Sequence, residues 1–194
     1  MLGLLHPTDP AWVDTVEGEL GRLLDDHAHC ELKAAQSALS IVGRWGGAHP
    51  ELVAPLVALA KEEMEHFEAV LAHATAHGVR LNPPAPDDYV LALQAATKRE
   101  ASDVPRLLDR LLVSALIEAR SCERFKLLAE RLGSAELRTF YRDLMESEAR
   151  HHRLFTRLAE SIFGEEATWA RLATLATREG DIAYPRGAEP TVHG

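Results

Sequence analysis

Two pairs, Glu63-x-x-His66 and Glu148-x-x-His151, carry the clearest chemistry in this chain. Of its ten histidines, only these two stand three residues after a glutamate. On a helix, residues three apart are neighbours, so a carboxylate and an imidazole at this spacing can reach one metal ion together. A further glutamate precedes each pair: Glu31 stands 32 residues before Glu63, and Glu118 stands 30 before Glu148. The arrangement therefore occurs twice.

Whether these glutamates are ligands or surface charges depends on the helix face they occupy. Glu31 shares its stripe with Leu24, Ala28, Ala35 and Ala38, and Glu63 with Leu56, Ala60, Phe67 and Val70. Glu118 aligns with Leu111, Ala115, Cys122 and Phe125, and Glu148 with Tyr141, Met145, His152 and Phe155. All four stripes are expected to face a core. Burying an ionised carboxylate without a partner is costly, and none of these stripes offers a lysine or arginine. Two divalent ions supply the missing charge, with His66 and His151 completing the ligand set. Oxygen and imidazole donors without thiolate suit iron or manganese better than structural zinc.

Neighbouring residues have more than one reading. His27 and His29 lie close to Glu31 and are either partners of the ligands or ordinary core or surface histidines. His152 reads as packing or as an outer partner rather than a third histidine ligand. Glu62, Glu65 and Glu68 read as solvated, and Tyr141 as packing.

The elements that must position these groups are helical. Gly and Pro gather at Gly46-Gly47, at Asn82 to Pro86, at Gly133, at Gly164 and from Gly180 onward. Thr8-Asp9-Pro10 opens a helical stretch to about Trp45, with a candidate break near Gly21. His49-Pro50 opens a second to about His77, and Asp87 or Asp88 caps a shorter one to about Arg99. A long helix is expected from about Val104 to Leu132, another from Ser134 to about Phe163, and a short one over Glu165 to Arg178. The tail from about residue 180 reads as irregular. No stretch alternates with the period of a strand.

The expected architecture is one all-α domain over residues 1–194, four long helices with additional short ones. At 194 residues and 46% hydrophobic content, one domain is the default. Apolar runs such as Leu52 to Ala60 and Leu111 to Ile117 fall short of the roughly 18 residues a membrane span needs. No basic, cleavable leader is apparent, and Cys30 and Cys122 form no disulfide framework, so a cytoplasmic, reducing location is expected. The formal charge of −9 argues against a polyanionic partner. Its distribution softens that: residues 98–157 hold 13 Lys and Arg against 10 Asp and Glu, whereas residues 1–97 hold 5 against 14.

The stretches Asp26 to Ala35 (DHAHCELKAA), Glu62 to Phe67 (EEMEHF), Leu116 to Phe125 (LIEARSCERF) and Glu146 to His151 (ESEARH) resemble the tRNA-(2-methylthio-N6-isopentenyladenosine) hydroxylase family, MiaE-type, within the ferritin-like diiron superfamily. The likeness runs over roughly residues 8–185, and the residues between the ligands agree as well as the ligands. The resemblance implies a ferritin-like four-helix bundle with a carboxylate-bridged pair of iron ions held by Glu31, Glu63, His66, Glu118, Glu148 and His151. It also implies hydroxylation of the isopentenyl group of a modified adenosine beside the tRNA anticodon, using O2 as co-substrate and electrons from an external reductase or ferredoxin-like donor.

Recognition of tRNA needs basic surface. Lys98, Arg99, Arg106, Arg110, Arg120, Arg124 and Lys126 are the candidates, although surface salt bridges explain them equally well. The competing reading is a ferritin-like iron or peroxide oxidase for storage or detoxification. The absence of a Cys-x-x-Cys pair and the extended C-terminal region weigh against it. A helical module without metal is a third class.

Overall fold

The computed structural model describes residues 2–100, 105–183 and 189–193, with the side chains of 98–100 outside the description. Seven α-helices and one 3-10 turn account for its regular structure, and no strand occurs among the described residues. The helices are α1 (Trp12–Gly18), α2 (Leu20–Trp45), α3 (Val53–Ala76), α4 (Asp88–Glu100), α5 (Arg106–Arg131), α6 (Ala135–Phe163) and α7 (Glu165–Ala183). The four long ones, α2, α3, α5 and α6, are those the periodicity predicts. The break expected near Gly21 falls at Glu19, whose φ of −134° and ψ of 41° leave the helical region.

The chain divides into two compact units: residues 18–85 with 190–192, and residues 1–17 with 86–189 and 193–194. In the first unit, α2 and α3 pack as a hairpin joined through the 3-10 turn Pro50–Leu52. Leu24, Ala28, Ala35 and Ala38 of α2 and Leu56, Ala60 and Val70 of α3 are buried, as the stripe pattern requires. The proline-rich segment after α3 is held to α2. Asn82 donates from its backbone N–H and its side-chain amide to the Asp25 carboxylate at 2.9 and 2.8 Å, and Lys33 donates to the Ala85 carbonyl at 3.0 Å. His29 donates to the Asn82 carbonyl at 2.7 Å, so its work is to hold this loop.

In the second unit, α5 and α6 form the main hairpin, α4 packs on α5, and α7 packs on α4, α5 and α6. Ser134 caps α6 by accepting from the Leu137 N–H at 3.3 Å. Gly164 alone separates α6 from α7, and its φ of 85° is a conformation that only glycine adopts without strain.

The C-terminal region departs from the expectation of an irregular tail only over residues 180–183, which are helical, while residues 189–193 belong to no regular element. Helix α7 runs past Gly180 to Ala183 because Glu179, Gly180 and Ala183 are buried rather than solvated. Val192 and His193 are buried too. His193 meets Asp87 Oδ2 at 2.9 Å and Ser121 Oγ at 3.1 Å and stacks on Tyr89, while the Trp12 indole N–H donates to the Glu189 carbonyl at 2.7 Å. These specific bonds offset the chain entropy that a polar tail otherwise keeps. Residues 184–188 and 194 lie outside the described part.

Candidate metal centre

Each compact unit contains one trio of candidate metal donors, buried or nearly so. In the α2–α3 hairpin, Glu31, Glu63 and His66 each bring one ligand atom within 4.8 Å of the others. His66 Nδ1 lies 3.1 Å from Glu63 Oε2 and 3.8 Å from Glu31 Oε2. In the α5–α6 hairpin, Glu118, Glu148 and His151 meet the same 4.8 Å limit. His151 Nδ1 lies 3.8 Å from both Glu118 Oε2 and Glu148 Oε1. The i,i+3 pairs thus converge on one side of α3 and α6, and the glutamate of the preceding long helix completes each trio.

All six side chains are buried or nearly so; the His66 side chain, at 12% exposure, is the most open. Two carboxylates and one imidazole per trio leave an excess of negative charge whenever both carboxylates are ionised. The buried arginines are engaged elsewhere. Arg120 binds Glu179 and Glu123, Arg171 binds Asp109 at 2.7 Å, and Arg124 lies over the Trp12 ring. The donor set therefore fits a divalent ion in each trio, and its hard oxygen and imidazole ligands suit iron.

His27 is the residue that sequence reasoning left open and the structure assigns to the site. Its ring is fully buried, and Nε2–H donates to Glu31 Oε1 at 2.6 Å. Burial alone raises the Glu31 carboxyl; the hydrogen bonds from His27 and His66 outweigh it and hold the group well below the usual carboxylate range. The i,i+4 spacing of His27 and Glu31 was the available signal. Burial works to lower His66, but bonds to Glu31 and Glu63 overcome it and push the imidazole up to about 9 in the metal-free protein. His152 is no ligand of its trio: its Nδ1–H donates to the Ala115 carbonyl at 2.8 Å, tying α6 to α5, and burial pushes its pKa down. Glu65 and Glu68 are exposed as expected, whereas Glu62 is half-buried. Tyr141 is buried against Phe125 and Phe140.

Two of the nominated tRNA contacts are corrected. Arg120 and Arg124 are 2% and 1% exposed, inside a network rather than on a surface. Arg120 donates to Glu179 Oε1 from Nε at 2.9 Å and from Nη2 at 2.7 Å, to Glu123 at 3.1 Å and to the His6 carbonyl at 3.0 Å. Thr8 clasps Glu123 through its N–H at 2.8 Å and its hydroxyl at 2.7 Å, and the Tyr89 hydroxyl donates to Glu179 at 3.0 Å. The cause is coverage: α7 and the N-terminal segment lie over a face of α5 that a two-helix reading leaves to water. Arg106 and Lys126 are exposed and Arg110 is half-buried; the side chains of Lys98 and Arg99 are outside the described residues. Cys30 and Cys122 form no disulfide and are half-buried, Cys30 donating to Asp26 Oδ2 at 3.8 Å, and burial pushes the Cys122 thiol up to about 11.

The chain is similar over most of its length to several known proteins. The family description tRNA-(MS[2]IO[6]A)-hydroxylase (MiaE) matches residues 2–194. The tRNA 2-(methylsulfanyl)-N(6)-isopentenyladenosine(37) hydroxylase of Pseudomonas putida is 40% identical over 169 residues, covering 87% of this chain and 80% of that protein. The hydroxylase of the same name from Salmonella typhimurium is 31% identical over 242 aligned positions, covering 100% of this chain and 88% of its own. Among solved structures, a protein from Synechococcus described as having aldehyde deformylating oxygenase activity superposes with a TM-score of 0.88 at 39% identity. The match covers 98% of this chain and 95% of that one. No helix among the described residues is long and apolar enough to cross a membrane. With two buried Glu/Glu/His trios, a ferritin-like all-α fold and a family match over nearly its whole length, the chain belongs to the MiaE family of tRNA-modifying diiron oxygenases.

Proposed function

We propose that this protein hydroxylates the isopentenyl group of 2-methylthio-N6-isopentenyladenosine next to the tRNA anticodon, in the cytoplasm, with electrons from a reductase or ferredoxin-like donor. The observation that carries the reading is the pair of buried donor trios in a chain of this family. Glu31, Glu63 and His66 would hold one iron ion and Glu118, Glu148 and His151 the other. When bound and reduced, the iron pair supplies the activation of O2 from which one oxygen atom enters the substrate C–H bond and the other leaves as water.

The chain's own residues do the remaining work. Burial of the six ligands excludes bulk water, so oxidising equivalents reach substrate rather than solvent. His27 occupies Glu31 Oε1 and thereby fixes the orientation of that carboxylate, as outer partners of metal ligands do. The bond from His152 to Ala115 sets the register of α6 on α5 and so the placement of Glu148 and His151 relative to Glu118.

A single-turnover experiment tests the reading: iron-loaded, reduced protein, O2 and tRNA bearing the modified adenosine, followed by mass spectrometry of the digested nucleosides. Gain of one oxygen atom on that nucleoside is the expected result. Unchanged tRNA with oxidised iron refutes it and favours the storage or detoxification oxidase. A second reading, deformylation of an aldehyde, is favoured by the Synechococcus structure. Release of the formyl carbon from an aldehyde, with no oxygenation of the nucleoside, would establish it instead.

A further inference from the structure

Helix α6 bears metal donors on one face and an arginine ridge on the other. Glu148 and His151 are buried, whereas Arg142, Arg150, Arg153 and Arg157 are exposed. At 3.6 residues per turn these four arginines share a stripe about 80° wide, roughly opposite His151 and about 22 Å long. Arg150 donates to Ser147 Oγ at 2.8 Å. Among the described residues, no hydrogen bond or ion pair engages Arg142, Arg153 or Arg157. Between Ser147 and Ala159 the only acidic residue is the buried Glu148; exposed Glu146 stands on the stripe between Arg142 and Arg150, Glu160 ends it one turn past Arg157, and Asp143 lies beside Arg142, so the net positive part of the ridge is Arg150 to Arg157.

An exposed, unengaged guanidinium is a fork suited to phosphate oxygens. Three of them on one stripe, in a chain whose formal charge is −9, make a local exception to the overall repulsion of a polyanion. A second feature lies past Gly164. There α7 exposes Trp169 at 46%, while Trp12 is 3% exposed. An exposed indole gives up apolar burial and offers a flat face on which an unpaired base stacks.

We propose that the outer face of the α6–α7 hairpin is the tRNA-docking surface, with Arg142, Arg153 and Arg157 on backbone phosphates and Trp169 stacked on an unpaired base of the anticodon loop. This rests on the tRNA reading above and supplies the contacts that reading lacked once Arg120 and Arg124 proved to be buried. RNA seated there lies about one helix diameter, roughly 10 Å, from the donors on the inner face of α6.

The test is fluorescence anisotropy of a labelled anticodon stem-loop with the iron-loaded protein across a salt series. Wild type is expected to bind, more weakly as salt rises. The variant R142Q/R153Q/R157Q loses about three phosphate contacts, so its log–log salt slope becomes shallower by about 2, with affinity at least tenfold lower at low salt. Trp169→Ala is expected to weaken binding about fivefold or more without changing the slope, as lost stacking does. Lys61→Gln, an exposed cation of α3, is expected to change neither quantity. If wild type binds and the triple variant keeps both slope and affinity, the ridge is not the docking surface. If Trp169→Ala binds as wild type does, the stacking assignment falls. If wild type neither binds nor oxygenates the RNA, the tRNA reading itself fails, a result separable from failure of the ridge alone.

Discussion

Replacing Arg120 with methionine should expose how strongly the second unit depends on one buried cation. The side chain is 2% exposed and bonds two carboxylates that are themselves 0% (Glu179) and 2% (Glu123) exposed. Burial works against its charge, but Glu179 first, then Tyr89 and Glu123, raise the guanidinium pKa further above its ordinary value. Methionine fills much of the volume and removes the charge. Glu123 keeps its two bonds from Thr8, whereas Glu179 keeps only the Tyr89 hydroxyl among its described partners. Breaking a buried pair from one side costs about 3–5 kcal/mol. With a urea dependence of about 2–3 kcal/mol per molar, the unfolding midpoint falls by roughly 1–2 M at pH 7.5. Adding Glu179→Gln removes the stranded charge, keeps an acceptor for Tyr89 and restores most of the loss. Urea unfolding followed by circular dichroism reads all three proteins. A midpoint within about 0.3 M of wild type, or a double variant no better than the single one, would refute the reasoning.

Three further outcomes follow from the metal trios. Glu118→Ala or His151→Ala should lose iron and activity while keeping helical content, read by metal analysis and far-ultraviolet circular dichroism; retained iron removes that residue from the ligand set. Because His66 is pushed up to about 9 in the metal-free protein, iron uptake at pH 7.5 must displace its proton, and apparent affinity should climb with pH until about 9. The sign for the metal-free fold is opposite: a raised histidine pKa stabilises below about 6.5, and that contribution is lost as pH rises through about 9. Uptake that releases no proton to an indicator dye would contradict both statements. His27→Leu should weaken iron binding by about 10–100-fold through the lost hold on Glu31, while His27→Gln, which can still donate, should recover part of it. Equal affinities across the two variants would show that the bond does not orient the ligand.

The convergence of the candidate metal ligands was legible in the sequence because helical periodicity is local. Glu31, Glu63, Glu118 and Glu148 each interrupt an apolar stripe, and the two histidines follow at the spacing that shares a face, so residue order alone assigns six side chains to buried positions. Helix ends were legible for the same reason, from Pro50, Ser134 and Gly164. The surroundings of α5 were not. Arg120 and Arg124 read as surface cations because a stripe argument assumes that any face without apolar residues meets water. Tertiary packing brings Glu179, 59 residues later in the chain, and Thr8, 112 residues earlier, onto that face and makes buried ion pairs of it. The same holds for the tail, where His193 looks polar and terminal until Asp87, Ser121 and Tyr89 are seen to receive it. A sequence shows what each helix needs to hide, but which distant residue covers it depends on how the chain folds back.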